Sequence, residues 1–135
     1  MRKKLDSILL VDDDADDNYF HQIIINKMNM VNQIDIAVNG IDALAYLKNQ
    51  NINPPDLIFL DLNMPKMNGW EFLEQYKHLD IAQKAKILIL ILTTSANPDD
   101  IKRAKEIKEV TGFETKPLTK ELLTEILEQN FPDYL

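Results

Sequence analysis

The sequence contains no cysteine and only three glycines among its 135 residues. The lack of cysteine excludes disulfide bonds, thiolate nucleophiles and zinc–thiolate sites. With so few glycines there is no glycine-rich phosphate loop, which disfavours a dinucleotide-binding fold. Any chemistry in this chain must therefore come from other side chains, and above all from its many carboxylates.

Long apolar runs are also missing. The longest is Ile87 to Leu92, six residues, whereas a membrane-spanning helix needs roughly 20. The basic start, Met1 to Lys4, is followed only by the apolar stretch Ile8 to Val11 before three aspartates interrupt it, which is not the pattern of a signal peptide. We therefore expect a cytoplasmic protein.

The charge is strongly acidic. A net charge of -7 and a pI near 4.7 repel nucleic-acid phosphates and anionic lipid, so the expected partners are proteins rather than nucleic acids or membranes. The length and the 45% hydrophobic content fit one domain with its own core. We expect a single domain over residues 1–135, with its core at about 7–130.

Apolar runs and helical patterns alternate five times along the chain. The predicted strands are Ile8 to Val11, Ile34 to Val38, Leu57 to Leu60, Ile87 to Leu92 and a weaker one around Gly112 to Thr115. The predicted helices are Asp16 to Met28, one around Ile41 to Leu47, one from Trp70 to near Asp80, one starting after an Asn97 N-cap, and one from Thr119 to before Pro132. This alternation predicts a doubly wound α/β fold with a parallel sheet covered on both faces.

Polar residues stand at or just after the ends of four of these strands. They are Asp12, Asp13, Asp61, Thr93 and Lys116. In an open parallel sheet, ligands bind outside the carboxyl ends of the strands. If the first and third strands are neighbours, their carboxylates crowd together, which is costly unless a divalent cation neutralises them. This pattern indicates a site that handles phosphate.

Four motifs in order identify a resemblance. They are Ile8 to Asp14, Pro55 to Pro65 with Asn68 and Gly69 after it, Leu92 to Ser95, and Lys116 to Leu118. Over nearly its whole length the chain resembles the receiver domain of two-component response regulators, of the single-domain, chemotaxis-regulator-like kind. The resemblance implies a flavodoxin-like (βα)5 fold, strand order 2-1-3-4-5 and no output domain.

The resemblance also implies a function. A sensor histidine kinase or histidine phosphotransfer protein would donate a phosphoryl group to Asp61, and the changed surface would bind or release a downstream protein target. Mg²⁺ would be held by Asp13 directly, by Asp12 through water, by Asp61, and by the backbone carbonyl of Asn63. Turnover on an external substrate is not expected.

Further roles follow from the same resemblance. Lys116 would pair first with Asp61 and then with the phosphoryl oxygens, and the Lys116–Pro117 bond is a candidate cis peptide. Thr93 would supply the hydroxyl that reports phosphorylation, with Thr94 as the alternative. Phe113 is either the switching aromatic or an ordinary core aromatic on an edge strand.

Two features depart from the family pattern. The acidic turn Asp12 to Asp17 suggests a calcium loop, but an EF-hand needs Gly and Glu where this chain has Asp17 and Ile23. Asp16 and Asp17 are expected in the first helical turn, while Asp14 could tune metal affinity. The second departure is the connection Lys108 to Thr111, which lacks the small Gly-Ala pair common in the family. We also expect this connection to contain one extra residue. The two histidines, His21 and His78, are expected at the surface, far from the acidic residues.

Other functional classes remain as alternatives. A phosphohydrolase of the haloacid-dehalogenase type would place an aspartate where this chain has Asn63. A flavodoxin-like flavin protein would need a Ser/Thr/Gly-rich loop after the first strand, where aspartates stand instead. A receiver-like module that is never phosphorylated is disfavoured because no acceptor, metal or lysine position has been lost.

Overall fold

The computed structural model describes residues 4–49, 51–84, 88–94 and 97–132. The strands are β1 (Leu5–Val11), β2 (Val31–Ala37), β3 (Leu57–Leu60), β4 (Leu88–Thr93) and β5 (Val110–Thr115). The helices are α1 (Ala15–Lys27), α2 (Gly40–Lys48), α3 (Gly69–Tyr76), α4 (Pro98–Lys105) and α5 (Lys120–Asn130), with a short 3₁₀ helix over Ile81–Gln83.

The strands form one parallel sheet in the order β2-β1-β3-β4-β5. The predicted doubly wound architecture and the strand order are therefore confirmed. Strand order reverses between β1 and β3, and the carboxyl ends of these two neighbours are in register, with Val11 opposite Leu60. The residues that follow them, Asp12 and Asp61, thus emerge side by side.

Both faces of the sheet are covered. One apolar cluster packs α1 and α5 against one face, with Leu10, Leu92 and Leu127 among its buried members. The other packs α2, α3 and α4 against the opposite face, around Leu60 and Phe72. Strands buried on both faces read as continuous apolar runs, which is why β1 and β3 could be found in the sequence.

Several predicted boundaries were wrong by a few residues. β2 runs from Val31 and ends at Ala37, so Val38 lies outside the strand and is 46% exposed. As the edge strand beside β1, β2 has exposed positions that break its apolar run and conceal its start. The predicted start of the fourth strand, Ile87, lies outside the described residues, and so does Ser95 of the third motif.

The predicted loop from Lys108 to Thr111 is also corrected. Val110 and Thr111 belong to β5, and the ladder shifts register there: Ile89 lies opposite Val110, but Leu90 lies opposite Gly112. Thr111 therefore has no partner in the β4–β5 register and is accommodated as an irregularity within the strand.

Helix ends follow their capping residues. Asp14 caps α1, Asn97 caps α4 with Pro98 at its first position, and Thr119 caps α5. Asn68 and Glu71 form a capping box at the start of α3. The predicted third helix was too long, since α3 ends at Tyr76 and the chain to Asp80 is turn. No helix in the described part of the chain has the length and apolar character to cross a membrane.

Candidate functional site

The structure brings the three predicted carboxylates together at the carboxyl ends of β1 and β3. The Asp61 N–H donates to the Val11 carbonyl at 2.9 Å, so the sheet ladder extends to the first residue after the strand. Asp12 and Asp61 are buried and Asp13 is exposed. Each of the three side chains offers a carboxylate oxygen, and these oxygens lie within 4.8 Å of one another.

This donor set can hold a divalent metal ion. Carboxylate oxygens are hard ligands of the kind that Mg²⁺ and Ca²⁺ prefer. Burial raises the pKa of Asp12, and the Lys116 ammonium partly opposes that rise. A cluster of three carboxylates, two of them buried, favours a bound cation because the cation offsets their mutual repulsion.

The turn between β1 and α1 is fixed by its own side chains. The Asp14 carboxylate accepts from the N–H groups of Asp16 at 2.9 Å and Asp17 at 3.1 Å, and so caps α1. The Asp14 N–H donates to Asp12 Oδ1 at 3.0 Å, and Asn18 Nδ2 donates to the Asp12 carbonyl at 2.9 Å. Asp14 is therefore occupied as a helix cap, which explains part of the unusual acidity of this turn.

Lys116 reaches into the carboxylate cluster from the end of β5. Its N–H donates to the Thr93 carbonyl at 2.8 Å, and the Lys116–Pro117 bond is cis. Its Nζ lies 2.6 Å from Asp12 Oδ2, 2.7 Å from Asp17 Oδ2 and 3.5 Å from Asp61 Oδ2, and its side chain is 8% exposed. Burial alone would lower the pKa of Lys116, but the hydrogen bonds to Asp12 and Asp17 outweigh burial and raise it.

Asp17 is a member of this cluster that the sequence analysis missed. Its expected place in the first turn of α1 is correct, but its contact with Lys116 bridges 99 positions of the chain. The only signal in the sequence was its position five residues after Asp12, on a helix that starts beside the site. That signal cannot be distinguished from an ordinary acidic first turn.

The two candidate threonines differ in burial. Thr93 ends β4 and is 0% exposed, whereas Thr94 follows the strand and is exposed. Because Ile91 lies opposite Phe113 and Thr93 opposite Thr115, the side chains of Thr93 and Phe113 lie on the same face of the sheet. Phe113 is half-buried against the α2–α3–α4 cluster and lines a cavity of about 340 Å³ between α4 and β5.

The prediction for His21 was wrong. Its side chain is buried, and it lines a small cavity with Asp12, Asn18 and Asp61. Burial lowers the pKa of His21, and the positive charge of Lys116 lowers it further. Asn18 is also buried, and its Oδ1 has no hydrogen-bond partner within the described residues. His78 is exposed, as predicted.

The misplacement of His21 has a simple cause. At helical spacing, the apolar residues Phe20, Ile23, Ile24 and Met28 share one face of α1 and so suggest that this face is buried, but Phe20 is 44% exposed. The buried positions are Asn18, His21 and Ile25. Their spacing of three and four residues is helical, but two of them are polar, so an analysis of apolar residues alone overlooked this face.

Comparison with known proteins gives a consistent result. The family model of the response regulator receiver domain matches residues 8–128. Response regulator Rcp1 from Synechocystis sp. is 35% identical over 104 residues, which cover 74% of this chain and 69% of that protein.

Solved structures are similar over nearly the whole chain. A two-component response regulator from Cytophaga hutchinsonii has a TM-score of 0.82 at 32% identity, covering 94% of this chain and 97% of that one. The Mn²⁺-bound form of response regulator Rcp1 has a TM-score of 0.74 at 32% identity, covering 95% and 94%. The phosphorylated cyanobacterial phytochrome response regulator RcpA has a TM-score of 0.74 at 30% identity, covering 96% and 91%.

Proposed function

Because this chain belongs to the response regulator receiver family, we propose that it is switched by transfer of a phosphoryl group to Asp61. The observation that carries this assignment is the cluster of Asp12, Asp13 and Asp61, with carboxylate oxygens within 4.8 Å of one another at the switch point of the sheet. Lys116 Nζ lies 3.5 Å from Asp61 Oδ2 and supplies a cation at the same place.

We propose Mg²⁺ as the resident metal ion. It would be held by the Asp13 and Asp61 carboxylates and by the Asn63 carbonyl, with Asp12 acting through water. Mg²⁺ suits a site of few carboxylates because it keeps several of its own waters and accepts phosphate oxygens in octahedral geometry. Binding of Mn²⁺ by the Rcp1 relative supports a divalent ion at this site. When bound, the ion would neutralise the carboxylates and the incoming phosphoryl oxygens.

The donor would be a phosphohistidine of a sensor histidine kinase or of a histidine phosphotransfer protein. A carboxylate oxygen of Asp61 attacks the phosphorus, an O–P bond forms, and the N–P bond of the donor breaks. The imidazole nitrogen leaves with the bonding electron pair and takes up a proton. Lys116 then pairs with the phosphoryl oxygens, and the Thr93 hydroxyl donates to one of them.

The change at Asp61 would reach the surface through Thr93 and Phe113. Both lie on the α2–α3–α4 face of the sheet, and Phe113 borders the cavity between α4 and β5. Movement of the Thr93 hydroxyl toward the phosphoryl group leaves room for the Phe113 ring to turn inward. The surface formed by α4 and β5 would then bind or release a downstream protein target.

A catalytic role on external substrates is not part of this proposal. Asn63 stands two residues after Asp61, where a turnover phosphohydrolase needs an acid or base, and an amide cannot transfer the proton. We further propose a cytoplasmic location and a partner set of proteins, since the charge of -7 opposes nucleic acid and anionic lipid.

The test is incorporation of phosphate from acetyl phosphate in the presence of Mg²⁺, followed by intact mass spectrometry. The wild type should gain one phosphoryl group, Asp61→Asn should gain none, and chelation of the metal should block the reaction. Asp56→Asn is a matched control, because Asp56 is also buried but lies at the opposite end of β3 and binds the Asp6 N–H. Equal labelling of Asp61→Asn and wild type would refute the assignment.

A further inference from the structure

Asp17 contacts the Lys116 ammonium group but has no part in the function proposed above. It lies in the first turn of α1, where its N–H is bound by Asp14, and its side chain is 37% exposed. Its Oδ2 lies 2.7 Å from Lys116 Nζ, which is closer than the 3.5 Å between that nitrogen and Asp61 Oδ2. The lysine that would stabilise the phosphoryl group is thus held mainly by Asp12 and Asp17.

We infer that Asp17 is a positioning residue that holds Lys116 on the α1 side of the site and competes with the phosphoryl group for it. This inference rests on the proposed function of Asp61. An ammonium group has three donors, and Asp12 and Asp17 occupy two of them at short distance. Only the third donor is left for the phosphoryl group, and it lies 3.5 Å from Asp61 Oδ2. A second hydrogen bond from Lys116 to the phosphoryl oxygens therefore requires that the lysine give up Asp12 or Asp17.

The two partners differ in what a metal ion does to them. Asp12 belongs to the carboxylate cluster that can hold a metal ion, and Asp17 is not among its three members in the described chain. A bound cation would therefore draw the Asp12 charge away from Lys116 and would leave Asp17 as the anion that holds the lysine. Asp17 also adds a negative charge near a position that must accept an anion, although its exposure reduces the effect by solvent screening.

The experiment uses fluoroberyllate, a non-covalent mimic of the aspartyl phosphate, titrated at saturating Mg²⁺ and followed by ¹⁹F NMR. Asp17→Asn should bind it about three- to tenfold more tightly than wild type, because one competing charge is removed within a few ångströms of the lysine. Asp17→Glu, which keeps the negative charge, should bind fluoroberyllate with an affinity close to that of wild type. Asp17→Ser, which is neutral and shorter, should behave like Asp17→Asn and provides a second variant should the first fold poorly.

Asp16→Asn is the matched control. Asp16 directly precedes Asp17, is exposed, and its N–H donates to the same Asp14 oxygen. The substitution removes the same charge as Asp17→Asn, but from a residue that is not an ion-pair partner of Lys116 in the described structure. It should therefore change the affinity for fluoroberyllate by less than about twofold, through general electrostatics alone. Combined with Lys116→Met, Asp17→Asn should lose its advantage, since the group it positions is gone.

The outcomes separate the two proposals. If Asp17→Asn and Asp17→Ser bind fluoroberyllate no more tightly than Asp16→Asn, Asp17 does not compete for Lys116 and this inference is overturned while the function of Asp61 stands. If wild type fails to bind fluoroberyllate, or Asp61→Asn binds it equally well, the proposed function itself is refuted. A gain in Asp17→Asn that persists in the Lys116→Met background would also overturn the inference, because the effect would not pass through the lysine.

Discussion

At the scale of single residues, Gly69 shows how closely the backbone packs behind the proposed acceptor. A Cβ atom at this position would lie 2.6 Å from the Asp61 carbonyl oxygen and 2.8 Å from Leu62 Cα. Both are backbone atoms that cannot rotate away, and the Gly69 N–H donates to the Leu62 carbonyl at 3.0 Å. The absence of a side chain at Gly69 therefore allows α3 to start directly against the end of β3.

We predict that Gly69→Ala lowers the free energy of unfolding by about 1–3 kcal/mol, the usual cost of forcing extra atoms into a packed region. Urea denaturation measures this change. Gly112→Ala is the control, because its Cβ would meet the nearest atom, Leu90 Cδ1, at an ordinary 3.4 Å. Equal stability of the two variants would contradict this account of Gly69.

His21 should give the protein a pH-dependent stability. Because burial lowers its pKa below the ordinary value of about 6.5, the unfolded chain binds the proton more readily. The stability associated with neutral His21 is therefore fully present above pH 6.5 and is lost as the pH falls toward the folded-state pKa.

The measurement is urea denaturation between about pH 7.5 and 5.5, which brackets the ordinary histidine pKa. The free energy of unfolding should fall less steeply with decreasing pH in His21→Gln than in wild type. His78→Gln, at the other and exposed histidine, should keep the wild-type slope. A wild-type slope in His21→Gln would show that the buried imidazole is not responsible.

The positions of single residues were predicted correctly where they follow the end of a strand, and incorrectly where they depend on which face of a helix is buried. Asp12, Asp13, Asp61, Thr93 and Lys116 lie together because parallel strands bring their carboxyl ends to one edge. His21 and Asp17 depend on the rotation of α1 about its axis, which its mixed polar and apolar residues did not reveal. Burial favours Thr93 over Thr94, a distinction that counting along the sequence could not make.

At the scale of elements, the start of α1 has one capping residue with two amide partners, Asp14. We predict that Asp14→Ala lowers the free energy of unfolding by about 1 kcal/mol, the usual cost of losing an N-cap, whereas Asp14→Asn keeps most of the stability because its amide oxygen can still accept. Chemical denaturation compares the two variants.

The same pair of variants tests whether Asp14 tunes metal affinity. Both substitutions remove the charge, and a cap that is not a ligand should leave the Mg²⁺ dissociation constant within about threefold of wild type. A large loss of Mg²⁺ affinity in both Asp14→Ala and Asp14→Asn would show that Asp14 acts on the metal instead.

Elements were predicted correctly where the signal was local. The caps Asn97 and Thr119 set the starts of α4 and α5 as expected, because capping is decided by a few neighbouring residues. The edge strands β2 and β5 were placed less well. Their partly exposed positions interrupt the apolar run, and the irregularity at Thr111 depends on pairing with β4, which no local pattern encodes.

At the scale of the whole molecule, the carboxylate cluster links metal binding to folding. Three carboxylates that converge from β1 and β3 repel one another in the folded chain and separate when it unfolds. A divalent ion that binds only the assembled cluster should therefore stabilise the fold, by about 2.7 kcal/mol when its concentration is 100 times the dissociation constant.

We predict that Mg²⁺ raises the melting temperature of wild type and that a chelator reverses the rise. Asp13→Asn should lose most of this response, yet without Mg²⁺ it should be at least as stable as wild type because one repelling charge is gone. Asp16→Asn, at the second residue of α1, should keep the response. Scanning calorimetry with and without Mg²⁺ decides this, and an undiminished response in Asp13→Asn would contradict the assigned ligand.

The architecture as a whole was predictable because five alternations of strand and helix leave few topologies open. The alternation of apolar runs and helical patterns was enough to predict a parallel sheet covered on both faces. The order of the strands came from the resemblance to receiver domains, since nothing in the apolar pattern distinguishes one order from another. That order places β1 beside β3 and so creates the site.

The most direct test of the central claim is a crystal structure of the protein with Mg²⁺ and fluoroberyllate. We predict beryllium bonded to an Asp61 carboxylate oxygen, Mg²⁺ contacting Asp13, Asp61 and the Asn63 carbonyl, and Lys116 and Thr93 within hydrogen-bond distance of the fluorides. A structure in which fluoroberyllate is absent from Asp61 under saturating conditions, or in which the Asp13 and Asp61 carboxylates do not share a metal ion, would contradict the account.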